Sequence, residues 1–147
     1  MENYDCLKLE NQLCFPLYAC SKELIRKYKP YLDEIDLTYT QYIAMMVIWE
    51  AKQINVKSLG EKLFLDSGTL TPLLKKLENK GYITRKKSSS DERNLNIMIT
   101  EEGEKLKEEA KIIPSEIGKC LNLTDEEMIT LYQILYKVLN NNTILNK

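Results

Sequence analysis

The stretch Leu65 to Gly81, LDSGTLTPLLKKLENKG, constrains the fold more than any other, because it reads as one short amphipathic helix with both ends marked. Asp66 and Ser67 both suit an N-cap, and Gly81 supplies a C-terminal stop. Leu70, Leu73, Leu74 and Leu77 fall at i, i+3, i+4 and i+7, so one stripe must meet a core. The opposite face carries Ser67, Gly68, Thr69, Thr71, Pro72, Lys75 and Lys76, with no acid between Ser67 and Glu78. Such a face suits a DNA major groove, where hydroxyls and amides reach base edges and lysines meet phosphates. A solvated Lys/Thr face is the plainer alternative, and the flanking sequence decides between them.

Upstream, NVKSLGEKLFLD offers a second short helix over about Val56 to Leu63, joined to the first by a tight Phe64 to Asp66 connection. Two helices so short and so close make a helix-turn-helix. Downstream lie two β-rich runs, Tyr82 to Lys87 and Asn94 to Thr100, around a polar SSSDER tip; the second alternates Leu95, Ile97 and Ile99 with polar or exposed positions. A helix-turn-helix followed by a hairpin is a winged helix, so the expected fold class is mainly α with a small β-hairpin wing (α+β). Between Lys75 and Arg93 seven cations face three anions, a net +4. Lys86 adds to this basic surface, and Arg93 at the tip could enter a minor groove with Asp91 holding its guanidinium. The bland alternative is a solvated turn with a surface ion pair.

These residues resemble the MarR family of winged-helix regulators, in which DERNLNIMITEEG matches the Asp-x-Arg of the wing, its last strand and the start of the following helix. LDSGTLTPLLKKLE together with the N-terminal LENQLCFPLYACS is similar to the OhrR-like branch, which senses organic hydroperoxides, and the likeness runs over nearly the whole chain. It implies a single MarR-like domain, with dimerisation helices at 1–36 and 101–147 and the winged DNA-binding region at 37–100. It implies a homodimer, whose two recognition helices would meet half-sites of double-stranded operator DNA about one helical turn apart. It also implies a peroxide-reactive Cys14 in ENQLCF, hydroxyls of Tyr28 and Tyr39 reaching that sulfur, and Tyr18 near the pocket.

The chemistry suits those residue types. A thiolate attacks a peroxide oxygen, and phenols can donate the hydrogen bonds that assist it without a histidine. Phe15, Leu17, Met45 and Met46 are apolar neighbours that would favour organic hydroperoxides. The first helix is expected from Leu7 to about Lys29, with Pro30 ending or kinking it; Pro16 is unusual mid-helix and would kink or start it, setting Cys14 near a helix N-terminus where partial positive charge favours a thiolate. The competing reading of Cys14 is a buried, inert thiol, and of the tyrosines, core packing. In some OhrR-like members a second cysteine between the last two helices of the partner resolves the oxidised one, and Cys120 in IGKCLNLT occupies a comparable place. The resemblance thus implies a disulfide from Cys14 to the partner's Cys120; small-thiol capping or a lasting sulfenic acid is the alternative.

Composition narrows the classes. The chain has 147 residues, 17.2 kDa and 44% hydrophobic residues, enough for one domain with a core. No run approaches a membrane span and the start MENYDCLKLE lacks signal character, so a soluble cytoplasmic protein is expected. Net charge is −1, with nine acids against six lysines from Glu101 to Lys147 offsetting the basic segment. Affinity for DNA should then fall with salt. There is no histidine, which removes the usual metal ligand and general base, and Cys6, Cys14, Cys20 and Cys120 form no CxxC pair. No metal, no cofactor and no enzymatic activity are expected.

The remaining signals are helical. Thr38 caps YTQYIAMMVIWEA, whose near-continuous apolar character reads as buried. Thr100 caps a charged helix over about Glu101 to Gly118, which Pro114 should kink or break. Thr124 and Glu127 form a capping box for a last helix to about Asn140, after which the tail is expected to fray. The functional expectation is a redox-sensing repressor released from DNA when Cys14 is oxidised. A regulator released by a non-covalent aromatic ligand uses the same fold; a thiol-dependent peroxidase and a winged-helix protein-interaction module are the rivals from other classes.

Overall fold

The computed structural model describes residues 4–88 and 94–145, the last five through their backbone alone. Its helices are α1 (Cys14–Glu34), α2 (Tyr39–Ala51), α3 (Val56–Leu63), α4 (Ser67–Asn79), α5 (Glu101–Ala110), α6 (Ile113–Cys120) and α7 (Asp125–Leu145). Strands β1 (Gln53–Asn55), β2 (Ile83–Lys87) and β3 (Leu95–Ile99) form an antiparallel sheet in the order β1-β3-β2. The chain divides into two compact units, residues 1–114 and 115–147. Among the described residues no helix is long and apolar enough to cross a membrane.

The core of the first unit is built from the stripes the sequence announces. Leu70, Leu74 and Leu77 of α4 are fully buried, with Leu73 nearly so, alongside Met45 and Ile48 of α2, Leu59 of α3, and Ile83 and Ile97 of the sheet. At about 25 cal/mol per Å² of apolar surface, each such leucine contributes roughly 1.5–3 kcal/mol. Thr38 starts α2 with a full capping box: its Oγ1 accepts from Gln41 N at 3.3 Å and its own N–H donates to Gln41 Oε1 at 3.0 Å. Asp66 rather than Ser67 caps α4, accepting from Thr69 N at 2.8 Å.

Several boundaries differ from expectation. Residues Asp5–Leu7 and Leu9–Asn11 are 3-10 turns, not the start of the first helix. Side-chain amides there take carbonyls that a helix would use: Asn11 Nδ2 donates to Asp5 O at 2.8 Å and Gln12 Nε2 to Cys6 O at 2.6 Å. Helix α1 therefore opens at Cys14, with Pro16 in its first turn, where a missing N–H costs nothing. Pro30 does not end it; the helix runs on to Glu34 along an exposed stretch where water can take the orphaned carbonyl. The break expected at Pro114 is present and falls just ahead of it, between α5 and α6, with Pro114 in the first turn of α6. Helix α7 continues past Asn140 to Leu145.

The short strand β1 carries no alternation that a sequence reading could use. It exists because Lys52, at φ +61°, turns the chain out of α2 so that Gln53 to Asn55 pair with Met98 to Asn96, and Ile99 N donates to Lys52 O at 3.0 Å. Gly103 explains itself too. A Cβ there would lie 2.2 Å from Tyr82 O, so the residue that an ordinary capping box wants cannot fit. Thr100 Oγ1 still accepts from Gly103 N at 3.1 Å.

In the second unit the Thr124–Glu127 capping box is present, with Thr124 N donating to Glu127 Oε2 at 2.8 Å. Beyond it α7 exposes Ile129, Leu131, Tyr132, Ile134, Leu135, Tyr136, Val138 and Leu139. A helix this apolar on several sides has not satisfied its burial within the chain.

Candidate functional site

Helix α4 is held in place from behind and left open in front. Its four leucines are buried, while Ser67, Gly68, Thr69, Thr71, Pro72, Lys75 and Lys76 are all exposed. Gly60 lets α3 approach closely, since a Cβ there would sit 2.8 Å from Leu65 O and 2.9 Å from Leu70 Cδ1. Phe64 takes the left-handed conformation, φ +54°, that turns the chain between the two helices. Thr71 donates its hydroxyl to Ser67 O at 2.9 Å, which fixes its rotamer and leaves its lone pairs outward.

The basic segment is less uniform than its count suggests. Arg85 donates from Nε and Nη2 to Glu78 Oε2 at 2.9 and 2.7 Å, and its backbone N–H donates to Glu78 Oε1 at 3.0 Å. Hydrogen bonds from the Arg85 guanidinium and backbone hold the Glu78 carboxyl below the usual carboxylate range. Lys80 pairs with Asp36 at 3.1 Å. These two cations brace α4 against β2 and against the loop after α1, a role that net charge alone could not reveal. Lys75, Lys76, Lys86 and Lys87 remain on the exposed surface. Asp91 and Arg93 lie outside the described residues.

A second group centres on the tyrosines. Tyr28 of α1 meets Tyr39 at 5.0 Å between ring centroids, edge to face, and Tyr42 of α2 at 5.9 Å. Tyr42 in turn meets Trp49 at 6.4 Å. Burial, with Tyr39 adding a smaller contribution, raises the Tyr28 hydroxyl; burial alone raises that of Tyr39. Tyr42 is pushed up to about 12 by burial first and by its two phenolic neighbours second. All three are therefore neutral donors at physiological pH.

Cys14 is exposed at the first position of α1, where Leu13 as N-cap offers no side-chain bond to the first-turn N–H groups. Within the single chain nothing buries this thiol. Yet Tyr28 lies fourteen residues further along the same helix, roughly 21 Å at 1.5 Å per residue. Within one chain the structure gathers Tyr28 and Tyr39 and leaves Cys14 remote from both. Tyr18 is 60% exposed with Lys22 Nζ 5.0 Å from its ring centre, apart from the tyrosine cluster. Of the expected apolar pocket, Phe15, Leu17 and Met46 are exposed, but Met45 is sealed in the core. Cys120 is exposed at the end of α6.

The family model for the transcriptional regulators SarA/Rot, which are MarR-like winged-helix proteins, matches residues 26–110. The chain belongs to this family. The regulator is 50% identical over 140 residues to the organic hydroperoxide resistance transcriptional regulator of Bacillus subtilis, covering 95% of each chain. It is 49% identical over 134 residues to the regulator SarZ of Staphylococcus haemolyticus, covering 91% of each. Among solved structures it resembles reduced AbfR bound to DNA, AbfR being a Staphylococcus epidermidis protein, at 32% identity and a TM-score of 0.76 over 95% of this chain and 97% of that one. The regulator is thus a member of a group of transcriptional regulators and not of an enzyme family, and its winged helix is the one the sequence announced.

Proposed function

We propose that the regulator is a cytoplasmic, dimeric repressor that binds operator DNA through α4 and the wing and releases it when an organic hydroperoxide oxidises Cys14. The observation that carries the DNA half is α4 itself: every leucine inward, and an acid-free face of hydroxyls and lysines outward. The observation behind the thiol half is the exposed Cys14 at the head of α1. Its likeness to the hydroperoxide resistance regulator and to AbfR on DNA supports both halves.

The remoteness of Cys14 from its own tyrosines gives the dimer a chemical purpose: Tyr28 and Tyr39 of the partner subunit supply the hydroxyls. The Cys14 thiolate attacks a peroxide oxygen, the O–O bond breaks, and a tyrosine hydroxyl hydrogen-bonds to the departing alkoxide, which takes up a proton to leave as alcohol. The thiolate of Cys120 of the partner subunit then attacks the sulfenic sulfur of Cys14, forming the S–S bond as hydroxide leaves and takes up a proton to become water. On this reading residues 1–36 and 101–147 are dimerisation elements around the winged region at 37–100, and the exposed apolar surface of α7 is buried between subunits.

Cys14→Ser tests the assignment. The variant should bind the DNA upstream of its own gene as the wild type does and ignore an organic hydroperoxide. Loss of DNA binding before any oxidant is added would instead make Cys14 structural.

A further inference from the structure

The aromatic chain that starts at Tyr39 ends on a hydrogen bond that leaves the sensing region. Trp49 Nε1 donates to Gly103 O at 2.7 Å, and both groups are buried. Gly103 belongs to the first turn of α5 and is tied through Thr100 to the segment that follows α4. Its N–H donates to Thr100 Oγ1 at 3.1 Å, that hydroxyl donates to Gly81 O at 2.6 Å, and Thr100 N donates to Tyr82 O at 3.1 Å. Tyr82 N donates to Leu77 O at 3.1 Å, in the last turn of the recognition helix. Gly103 also has no room to slip, since even a methyl group on it would overlap Tyr82 O.

We propose that Trp49 is the positioning residue that couples the tyrosine cluster to the DNA-binding elements, through its indole N–H on the Gly103 carbonyl. The argument rests on the peroxide-sensing reading above. Oxidation at Cys14 removes a partner of Tyr28 and Tyr39, whose rings meet each other, and Tyr28 bears on Tyr42 and hence on Trp49. A packed aromatic chain repacks rather than yields smoothly. Movement of the indole must break or drag its bond to Gly103, and Gly103 is bonded to Thr100, which ends the wing and is bonded in turn to Gly81 and Tyr82 just after α4. Leaving a buried carbonyl and a buried N–H unmet is costly, so the junction moves with the ring. The coupling is measured as an energy.

Trp49→Phe keeps an aromatic ring and removes the donor. Its DNA affinity is measured on a labelled duplex from the DNA upstream of the gene, reduced and after one equivalent of cumene hydroperoxide, with Cys14 oxidation followed by mass. Coupling between sites is typically about 5- to 150-fold, so wild-type affinity should fall within that span on oxidation and that of Trp49→Phe by less than roughly threefold, with equal oxidation of Cys14. Release by Trp49→Phe as complete as by the wild type overturns the proposal and leaves the sensing reading standing. Failure of the wild type itself to release DNA once Cys14 is oxidised sinks the sensing reading and the proposal together. Trp49 is the only tryptophan in the chain, so wild-type fluorescence gives a second readout should the variant not fold. A red shift of emission on oxidation, as the indole loses its buried partner, is expected, and unchanged emission overturns the coupling role.

Discussion

The winged region and the thiol region of this regulator are built on opposite terms. From α2 to β3 every element finds its partners within the chain: leucines meet isoleucines, caps meet N–H groups, and Arg85 meets Glu78. The thiol region is unfinished by comparison, with Cys14 roughly 21 Å along α1 from Tyr28, one of the tyrosines expected to serve it, and α7 carrying apolar side chains into solvent. On the reading proposed above, the difference teaches that recognition of DNA is a property of one fold, whereas response to oxidant belongs to two chains. A regulator gains from that division, because chemistry placed between subunits can alter the spacing of two recognition helices without remaking either.

The contrast can be broken most forcefully by the same kind of substitution in each region. Leu74→Ala in α4 should cost about 2–5 kcal/mol through lost burial and the cavity left behind, seen as a lower midpoint in denaturant at any protein concentration. Leu131→Asp with Leu135→Asp in α7 should act differently, yielding a folded chain of half the wild-type mass by sedimentation and a melting temperature that no longer depends on concentration. A dimer that survives both aspartates would mean that α7 is not the interface.

Smaller effects sharpen the account of each region. Cys120→Ser should abolish the peroxide-induced disulfide dimer on non-reducing electrophoresis, and a surviving band would move the pairing to Cys6 or Cys20. Lys75→Ala should weaken DNA binding and reduce the slope of log affinity against log salt by about 0.9, the mark of one phosphate contact. Glu78→Gln leaves Arg85 without its carboxylate; since that carboxyl titrates low in the folded chain, the bracing it supplies is present at neutral pH and is lost as pH falls through its folded value. The wild type should thus lose more stability on acidification than the variant. The subtlest effect is alkaline. Tyr42 titrates at about 12 in the fold and near 10 when unfolded, so the folded state holds its proton longer and stability should decline as pH rises from 10 to 12, with Tyr42 last to ionise by ultraviolet titration.

How legible each region was in the sequence follows from the same contrast. The span Val56 to Leu63 is the observed α3, and the α4 stripe Leu70, Leu73, Leu74, Leu77 is buried, because local periodicity and caps determine both. The fold class was legible on those grounds, and the resemblance agreed with it. Strand β1 was not, for it depends on a positive φ at Lys52 and on a partner strand more than forty residues away. Pro30 leaves its helix unbroken because that stretch is exposed, whereas the break at Pro114 was legible and only its place, just ahead of the proline, was not. Arg85 looked like one more DNA cation until its carboxylate appeared beside it. Trp49 gave no signal at all: an apolar run hides which residue turns a donor toward a distant glycine.

The central claim is that oxidation of Cys14 switches DNA binding, and one titration tests it most directly. Binding to the regulator's own upstream DNA is followed before and after one equivalent of an organic hydroperoxide, and again after dithiothreitol. The account predicts that affinity is lost with the oxidant and restored by the thiol. Binding that stays constant while mass spectrometry shows Cys14 fully oxidised would contradict it.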